Sequence, residues 1–426
     1  MNPAVQLILF APSLLSRALA LSLNFSDPSL FDPRITFTRA SGATRIKSDG
    51  TLELVGNDVP RISYDAASGK MGLLIEEART NLLIQSNDIS NAAFSKTNVV
   101  ATANTTASPS GAMDAALVVD NATSAEHYFQ QNCTTATNQT YTQSIFVKAG
   151  TSAGFSFMVV SIGASVTTSV ITFGQSGGVF TQTSGLVGLI TAASVVAVAG
   201  GWYRCSVTYT LDGTVTAHLM RIYPKVAGIY VGTGVGAYFW GAQLEAGAFP
   251  TSYIPTEASA VTRNADVATM TGANFSDWYN QAEGTFEAIW SRNATLTTAN
   301  SAGFPRVFEA SDGTTNNLIY LSGNASSVNE VAQLTVGGSV ITTRTAAVVA
   351  ANTAANSVFA YKTGFISLAQ NGATPSTSTA AFTAPAMTTL YLGNRNGAGR
   401  ALNGHLRKLS FYKQALTSAE VQAFSK

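Results

Sequence analysis

Hydrolysis of a glycosidic bond needs two carboxyl groups facing across it, roughly 5 to 9.5 Å apart according to stereochemistry. The 426-residue chain carries 23 acidic residues. Glu245 and Glu257 flank the end of one strand-rich region, and Glu287 and Glu309 fall on predicted strands of the next. None sits in a recognisable E-x-D hydrolase strand, so catalysis is not expected. The 3 histidines, His127, His218 and His405, are far apart, with no i, i+4 or H-x-H spacing, which argues against a zinc site. His405 lies on the last predicted strand, where it is expected to face solvent or a neighbour. No glycine-rich phosphate loop precedes a helix.

Two further chemistries have candidates. Calcium takes oxygen ligands from loops, and Asp312 and Asn316, beside Gly313 and Asn317, are the residues that would supply them. An Asp-Gly pair more commonly closes a hairpin, so no cofactor is expected, with calcium the one alternative. Sugar binding uses an exposed aromatic ring that stacks on the apolar face of a pyranose. Trp202, Tyr253, Trp278 and Tyr279 are the glycan-binding candidates, with Tyr203 and Trp240 considered beside them. Large aromatics in sandwiches are more often core, and Trp240 reads as core. Trp202 lies on the strand face opposite Cys205 and is the expected exposed ring.

The elements that position these residues are strands. Hydrophobic residues make up 46% of the chain and charged residues only 11%, against roughly 25% charged in ordinary soluble domains. Thr, Ser, Asn, Gly and Ala fill the difference, which suits short strands and polar turns and disfavours helices. Net charge is +1 and no basic tract stands out, so no nucleic-acid partner is expected. The fold class is all-β.

Four parts follow from the punctuation. Residues 1–22 form an N-terminal attachment arm, 23–90 a β-rich leader, 91–256 one sandwich and 257–426 another. In the arm, Leu7, Ile8, Leu9, Phe10, Leu14 and Leu15 are the apolar residues expected to seat in a partner. No Lys or Arg precedes this run, Pro12 interrupts it and Arg17 falls at the would-be cleavage region, so a signal peptide is not expected. The run is also too short to span a bilayer. Trp202 to Thr210 alternates as W-Y-R-C-S-V-T-Y-T, a half-buried strand with Cys205 inward. Cys133 and Cys205, the 2 cysteines, read as buried free thiols in adjacent strands, with a bridge as the alternative. Thr417-Ser418-Ala419-Glu420 is a capping box for a closing helix with Val421 and Phe424 inward.

Three stretches carry a resemblance. Asp32-Pro33-Arg34-Ile35-Thr36-Phe37-Thr38-Arg39-Ala40-Ser41, Arg61-Ile62-Ser63-Tyr64-Asp65 and Gly72-Leu73-Leu74-Ile75-Glu76-Glu77-Ala78-Arg79-Thr80-Asn81-Leu82-Leu83 resemble the leader of a family of tailed-phage and prophage virion proteins. Gly201-Trp202-Tyr203-Arg204, Gly236 to Glu245 and Pro250 to Thr256 are similar to its jelly-roll, carbohydrate-binding-module-like domain. Leu392-Gly393-Asn394, Leu402 to Tyr412 and Ala415 to Val421 look like the end of a concanavalin A-like (laminin-G-like) sandwich. The resemblance implies a structural virion component: a tail fibre, spike or head fibre. It would be a homotrimer attached to other phage structural proteins, with sandwiches that touch host surface glycans and no membrane insertion. A capsid decoration protein and a glycan depolymerase are the alternatives it leaves open.

Overall fold

The computed structural model describes residues 19–65, 68–162, 166–211, 213, 217–294, 305–324, 329–395 and 400–426. The arm residues Leu7, Ile8, Leu9, Phe10, Leu14 and Leu15 lie outside the described residues. Among those described, the chain is nearly all-β and antiparallel. The described residues form two compact units, one made of those within 19–40, 56–78 and 264–426 and the other of those within 41–55 and 79–263.

The first unit is a sandwich of an eight-stranded and a seven-stranded sheet. Its cores of Phe286, Trp290, Phe359, Leu409 and Phe411 from one sheet and Phe308, Ile319, Leu334 and Leu390 from the other form a single apolar cluster. Strand Glu283–Arg292 runs between Ala354–Lys362 and Gly404–Tyr412 in the larger sheet. The smaller sheet runs Thr36–Thr38, Val267–Thr271, Thr389–Leu392, Arg306–Ser311, Leu318–Gly323, Glu330–Val336, Ser339–Ala346. The closing helix Ser418–Phe424 starts at the expected capping box, with Thr417 and Glu420 each bonding the other's backbone N–H. It lays Val421 and Phe424 over Val358, Ala360 and Ala369.

The leader is not a separate segment. Strand Leu19–Asn24 pairs with Gly404–Tyr412, and Ile62–Asp65 and Lys70–Ile75 extend the same sheet past it. Thr36–Thr38 adds an edge to the seven-stranded sheet. The end of the expected arm is thus sheet, with Leu21 and Leu23 each 1% exposed. These strands bury their apolar faces only by joining the C-terminal sandwich, since two-stranded ribbons are marginal alone.

A buried ionic knot ties leader to sandwich within this unit. Asp266 accepts from Arg39 Nη1 at 3.1 Å and from Arg61 Nη2. Arg61 Nη1 reaches Glu76 Oε2 at 2.8 Å. The Glu76 N–H donates to the Asp266 carboxylate at 2.9 Å, and the Asp266 N–H donates to the Glu76 carbonyl at 3.0 Å. Arg39 also donates to the carbonyls of Gly56 and Val59. Four buried charges persist because each is paired and hydrogen-bonded.

The second unit is a sandwich of two six-stranded sheets. One runs Ile190–Ala197, Trp202–Thr210, Thr140–Lys148, Gly236–Ala246, Ala115–Asp120, Val99–Thr106. The other runs Val179–Gln182, Val166–Ser176, Gly154–Ile162, Ala217–Tyr223, Tyr128–Thr134, Ser95–Thr97. Phe129, Phe155, Phe157 and Phe173 from the second meet Ile145, Val207, Phe239 and Leu244 from the first. The G-A-Q-L-E stretch has a backbone reason. Gly241 sits at φ 65°, opposite a register shift between Ser144 and Phe146, where a Cβ would come within 2.7 Å of the Phe146 ring.

The remaining motif residues lock this unit through polar groups. Asn81 Nδ2 donates to the Ala242 and Ile254 carbonyls at 3.1 and 2.9 Å, and its Oδ1 accepts from the N–H groups of Leu83 and Leu244. Glu245 accepts from Gln243 Nε2 at 2.7 Å and from the Thr251 N–H and hydroxyl at 2.8 and 2.6 Å. Gln243 Oε1 in turn accepts the Ile254 N–H at 2.7 Å. The R-T-N, Q-L-E and P-T-S-Y-I-P-T segments form one satisfied buried network.

Candidate functional site

All four nominated aromatics are buried. Trp202 is 1% exposed, Tyr253 1%, Trp278 3% and Tyr279 7%. None of these rings offers a face for stacking. For Trp202 the reason is a second small core, outside the main one, in which it packs with Ala115, Phe146, Trp240 and Tyr253, lined by Leu52 and Val198. Its indole N–H donates to the Ala107 carbonyl at 3.0 Å. The hairpin Ala43–Ile46 and Leu52–Val55 reaches the same region, with the Leu52 N–H on the Pro109 carbonyl and the Thr44 hydroxyl on the Tyr253 carbonyl. Trp240 is core as expected, at 2%. Trp278 and Tyr279 pack on Phe275 and Phe411 in the first unit.

The acids are occupied as well. Glu245 lies in the network above. Glu287 meets Lys408 Nζ at 3.0 Å and the Tyr412 hydroxyl at 3.0 Å, and Glu309 meets Arg306 and Arg395. Glu257 is exposed. Gly174-Gln175-Ser176-Gly177-Gly178 has the G-x-S-x-G spacing, which sequence reading passes over. Here Gly177 and Gly178, at φ 58° and 85°, turn a hairpin between Val166–Ser176 and Val179–Gln182, not the strand-to-helix elbow that spacing serves.

Asp312 closes a turn: its carboxylate accepts from the Thr314 N–H and hydroxyl at 2.8 and 2.6 Å and from Asn317 Nδ2 at 2.7 Å. Asn316 contributes its carbonyl to the Gly338 N–H. Cys133 and Cys205 are buried free thiols. They sit in the two different sheets of the second unit, not in adjacent strands. Burial pushes the Cys133 thiol up to about 12 and that of Cys205 higher still.

The histidines are buried too, His405 included, against the expectation that it faces outward. Burial lowers His405, and it pushes His218 down to about 3. An unfolded histidine titrates near 6.5. Between those values the unfolded chain binds the extra proton, so stability is lost as pH falls from about 6.5 toward 3. His218→Leu, which keeps the slot beside Tyr209 apolar, is expected to flatten this loss. Urea denaturation at about pH 7.5 and about pH 4.5 checks it, and an unchanged slope would refute the assignment.

One outward sheet face in the second unit collects polar and aromatic side chains over a buried patch of Met158, Val160, Leu219 and Tyr223. Along Tyr128–Thr134, Phe129, Gln131 and Cys133 point inward while Tyr128, Gln130, Asn132 and Thr134 point out. Gln130, Arg221, Met158 and Val170 stand side by side on four strands. Arg221 is the centre: Nε donates to Gln130 Oε1 at 2.7 Å, the guanidinium lies 4.0 Å from the Tyr128 ring centroid, and Glu126 is 3.9 Å away. The Tyr223 hydroxyl donates to Glu126 at 3.0 Å. Asn132 is exposed and Tyr128 and Gln130 are half-buried. The alternation Y-F-Q-Q-N-C-T was the signal that pointed here; attention to tryptophans passed over it.

A family model described as the concanavalin A-like lectin/glucanases superfamily matches residues 277–422, within the first unit. No curated protein matches in sequence. Among solved structures, the chain is similar to a carbohydrate-binding module of a Ruminococcus gnavus sialidase bound to α2,6-sialyllactose, at 15% identity over 34% of this chain and 85% of that one, with a TM-score of 0.28. Domain 4 of a Geobacillus stearothermophilus arabinanase gives 13% identity over 42% and 82%, with a TM-score of 0.31. Domains LG4–5 of the mouse laminin α1 chain give 9% identity over 81% and 91%, with a TM-score of 0.25. The family match and the two β-sandwiches agree on an all-β, lectin-like architecture whose C-terminal sandwich is concanavalin A-like.

Proposed function

We propose that this chain is a non-catalytic, glycan-binding structural component of a bacteriophage particle, attached through its N-terminal region to other virion proteins, as a homotrimer. The observation that carries the binding half is the outward-facing group of Tyr128, Gln130, Asn132 and Arg221. Amide, guanidinium and phenol groups line it beside the half-buried Val170, with Met158 and Val160 buried beneath, and a sugar's hydroxyls and C–H faces call for such a mixture of polar and aromatic groups. The virion half is supported by the leader motifs, Asp32 to Ser41 and Gly72 to Leu83. Their side chains include Arg39, Glu76 and Asn81, which hold the two units' own networks.

A glycan array with the intact chain tests the first half. Arg221→Ala and Tyr128→Ala are expected to lower affinity for the bound glycans by about tenfold or more, the scale of a lost charge-assisted hydrogen bond, while Trp278→Phe leaves it unchanged. Equal binding by all variants would remove this face from the reading. Gold-labelled antibody on purified particles tests the second half. Label at a tail tip supports host attachment, label over the capsid makes the chain a decoration, and no label on any particle refutes the virion reading.

A further inference from the structure

One side of the second unit lacks charge altogether. Residues 149–203 contain no Asp, Glu, Lys, Arg or His, in a chain that is 11% charged overall, and no proline. They supply the strands Gly154–Ile162, Val166–Ser176, Val179–Gln182 and Ile190–Ala197, of which the last two are edges of their sheets. Both edges close the same side of the sandwich. Phe180 on the first packs against Tyr203, the cross-strand partner of Ala197 on the second. This wall also shows apolar side chains: Val166 is 66% exposed, Val179 51%, Leu186 47% and Val187 46%. Val179 pairs with Ser176, at the far end of its strand from Val166, a span of about 33 Å at the rise of a strand residue. Leu186 and Val187 lie along the same strand. The segment that carries them is fastened there by the Thr172 N–H on the Ser184 hydroxyl at 2.8 Å and the Leu189 N–H on the Ser169 hydroxyl at 2.9 Å.

An edge strand presents a row of backbone N–H and C=O groups to any chain that can pair with them, and proteins blunt such edges with charges, prolines or bulges. The opposite edge of the same sheet is blunted in this way: Val99–Thr106 shifts register against Ala115–Asp120, with Asn104 at φ 55°. Ala192–Ala197 instead keeps unbroken register with Tyr203–Thr208, and no strand among the described residues pairs with its outer side. Exposed aliphatic side chains beside an unblunted edge mark a surface that contacts another chain. The absence of charge also selects that chain. Around a symmetry axis each residue meets its own copies, so a charge there faces its like. A wall without charge has no such repulsion. A partner of different sequence is steered and chosen by opposite charges, and this wall offers it none.

We propose that this wall is where copies of the chain meet, with Val166, Val179, Leu186 and Val187 packed in the contact. The inference rests on the homotrimer reading above and gives it a surface. The cores of protein interfaces are depleted of charged residues in the same way. Arg221 stands two strands in from Val166–Ser176, so glycan binding and assembly answer to different substitutions.

Sedimentation equilibrium of the intact chain over a range of concentrations tests the proposal. The parent is expected at the mass of three chains. Val166→Lys and Val187→Lys, each placing a charge in the contact, are expected to fall to the mass of one chain where the parent is fully assembled. Val187→Ser, a milder change, is expected to weaken assembly by about tenfold. Val100→Lys, exposed on the opposite edge strand, and Arg221→Ala are expected to assemble like the parent. Circular dichroism of each variant separates lost assembly from lost fold. Lysine variants at 166 and 187 that assemble like the parent would overturn the proposal and leave the homotrimer reading on another surface. Val100→Lys dissociating equally would overturn it too, since the response would not be local. A parent that stays a single chain at every concentration overturns both. Assembly into another number of chains, dissolved by the same two lysines, keeps the wall and overturns the homotrimer.

Discussion

Asp266→Ala is expected to cost the first unit about 3–5 kcal/mol, the scale of breaking a buried ion pair from one side. Its carboxylate is the shared acceptor of Arg39, Arg61 and the Glu76 N–H. Removing it leaves two guanidiniums, each with fully buried side chains, without the carboxylate they share. Neither can shed its proton as a lysine would, since guanidinium stays charged in proteins. Asp266→Asn keeps the shape and loses the charge, and it is expected to fall between parent and alanine. Urea denaturation followed by the fluorescence of Trp278 and Trp290, both buried in this unit, measures the loss. A cost below about 1 kcal/mol, the value of an exposed pair, would show that the knot contributes no more than a surface bridge.

That knot also shows what was legible in the sequence and what was not. The strands were legible because their period is local: Trp202–Thr210 has the predicted bounds, and Cys205 points inward. The capping box at Thr417 was legible because three residues define it. The division of the leader was not. Whether Ile62–Asp65 stands alone or joins a sheet with Gly404–Tyr412 depends on contacts more than three hundred residues away along the chain, and no period in either segment records them. No local pattern marks Arg39, Arg61, Glu76 and Asp266 as partners of one another. Their roles follow only from being brought together.

The same limit governed the binding site. Alternation says which residues share a face, not whether that face is open. The face with Trp202, Arg204, Ser206 and Thr208 is covered, since Arg204 donates to the Thr251 carbonyl at 2.6 Å and to the Ser144 hydroxyl. On the face with Tyr128, Gln130 and Asn132, the first two are half-buried and Asn132 remains exposed. Both were visible as two-residue periods. What separates them is a hairpin from residues 43–55 and a segment at 251–256, each remote in sequence from the strand it covers.

Trp202→Ala is therefore expected to act on stability and not on recognition. Its ring fills a closed cluster with Phe146, Trp240 and Tyr253, and truncating a buried tryptophan costs about 3–5 kcal/mol. The indole N–H adds a second loss, because the Ala107 carbonyl it serves would have to find another donor. Trp202→Phe keeps most of the volume and is expected to recover much of the loss, short of that hydrogen bond. At a temperature where both variants remain folded, their affinities on the glycan array are expected to match the parent, while Arg221→Ala does not. A Trp202→Ala protein with parental stability and lost glycan binding would reverse the assignment of both faces, since it would require the covered ring to be the one that meets the sugar.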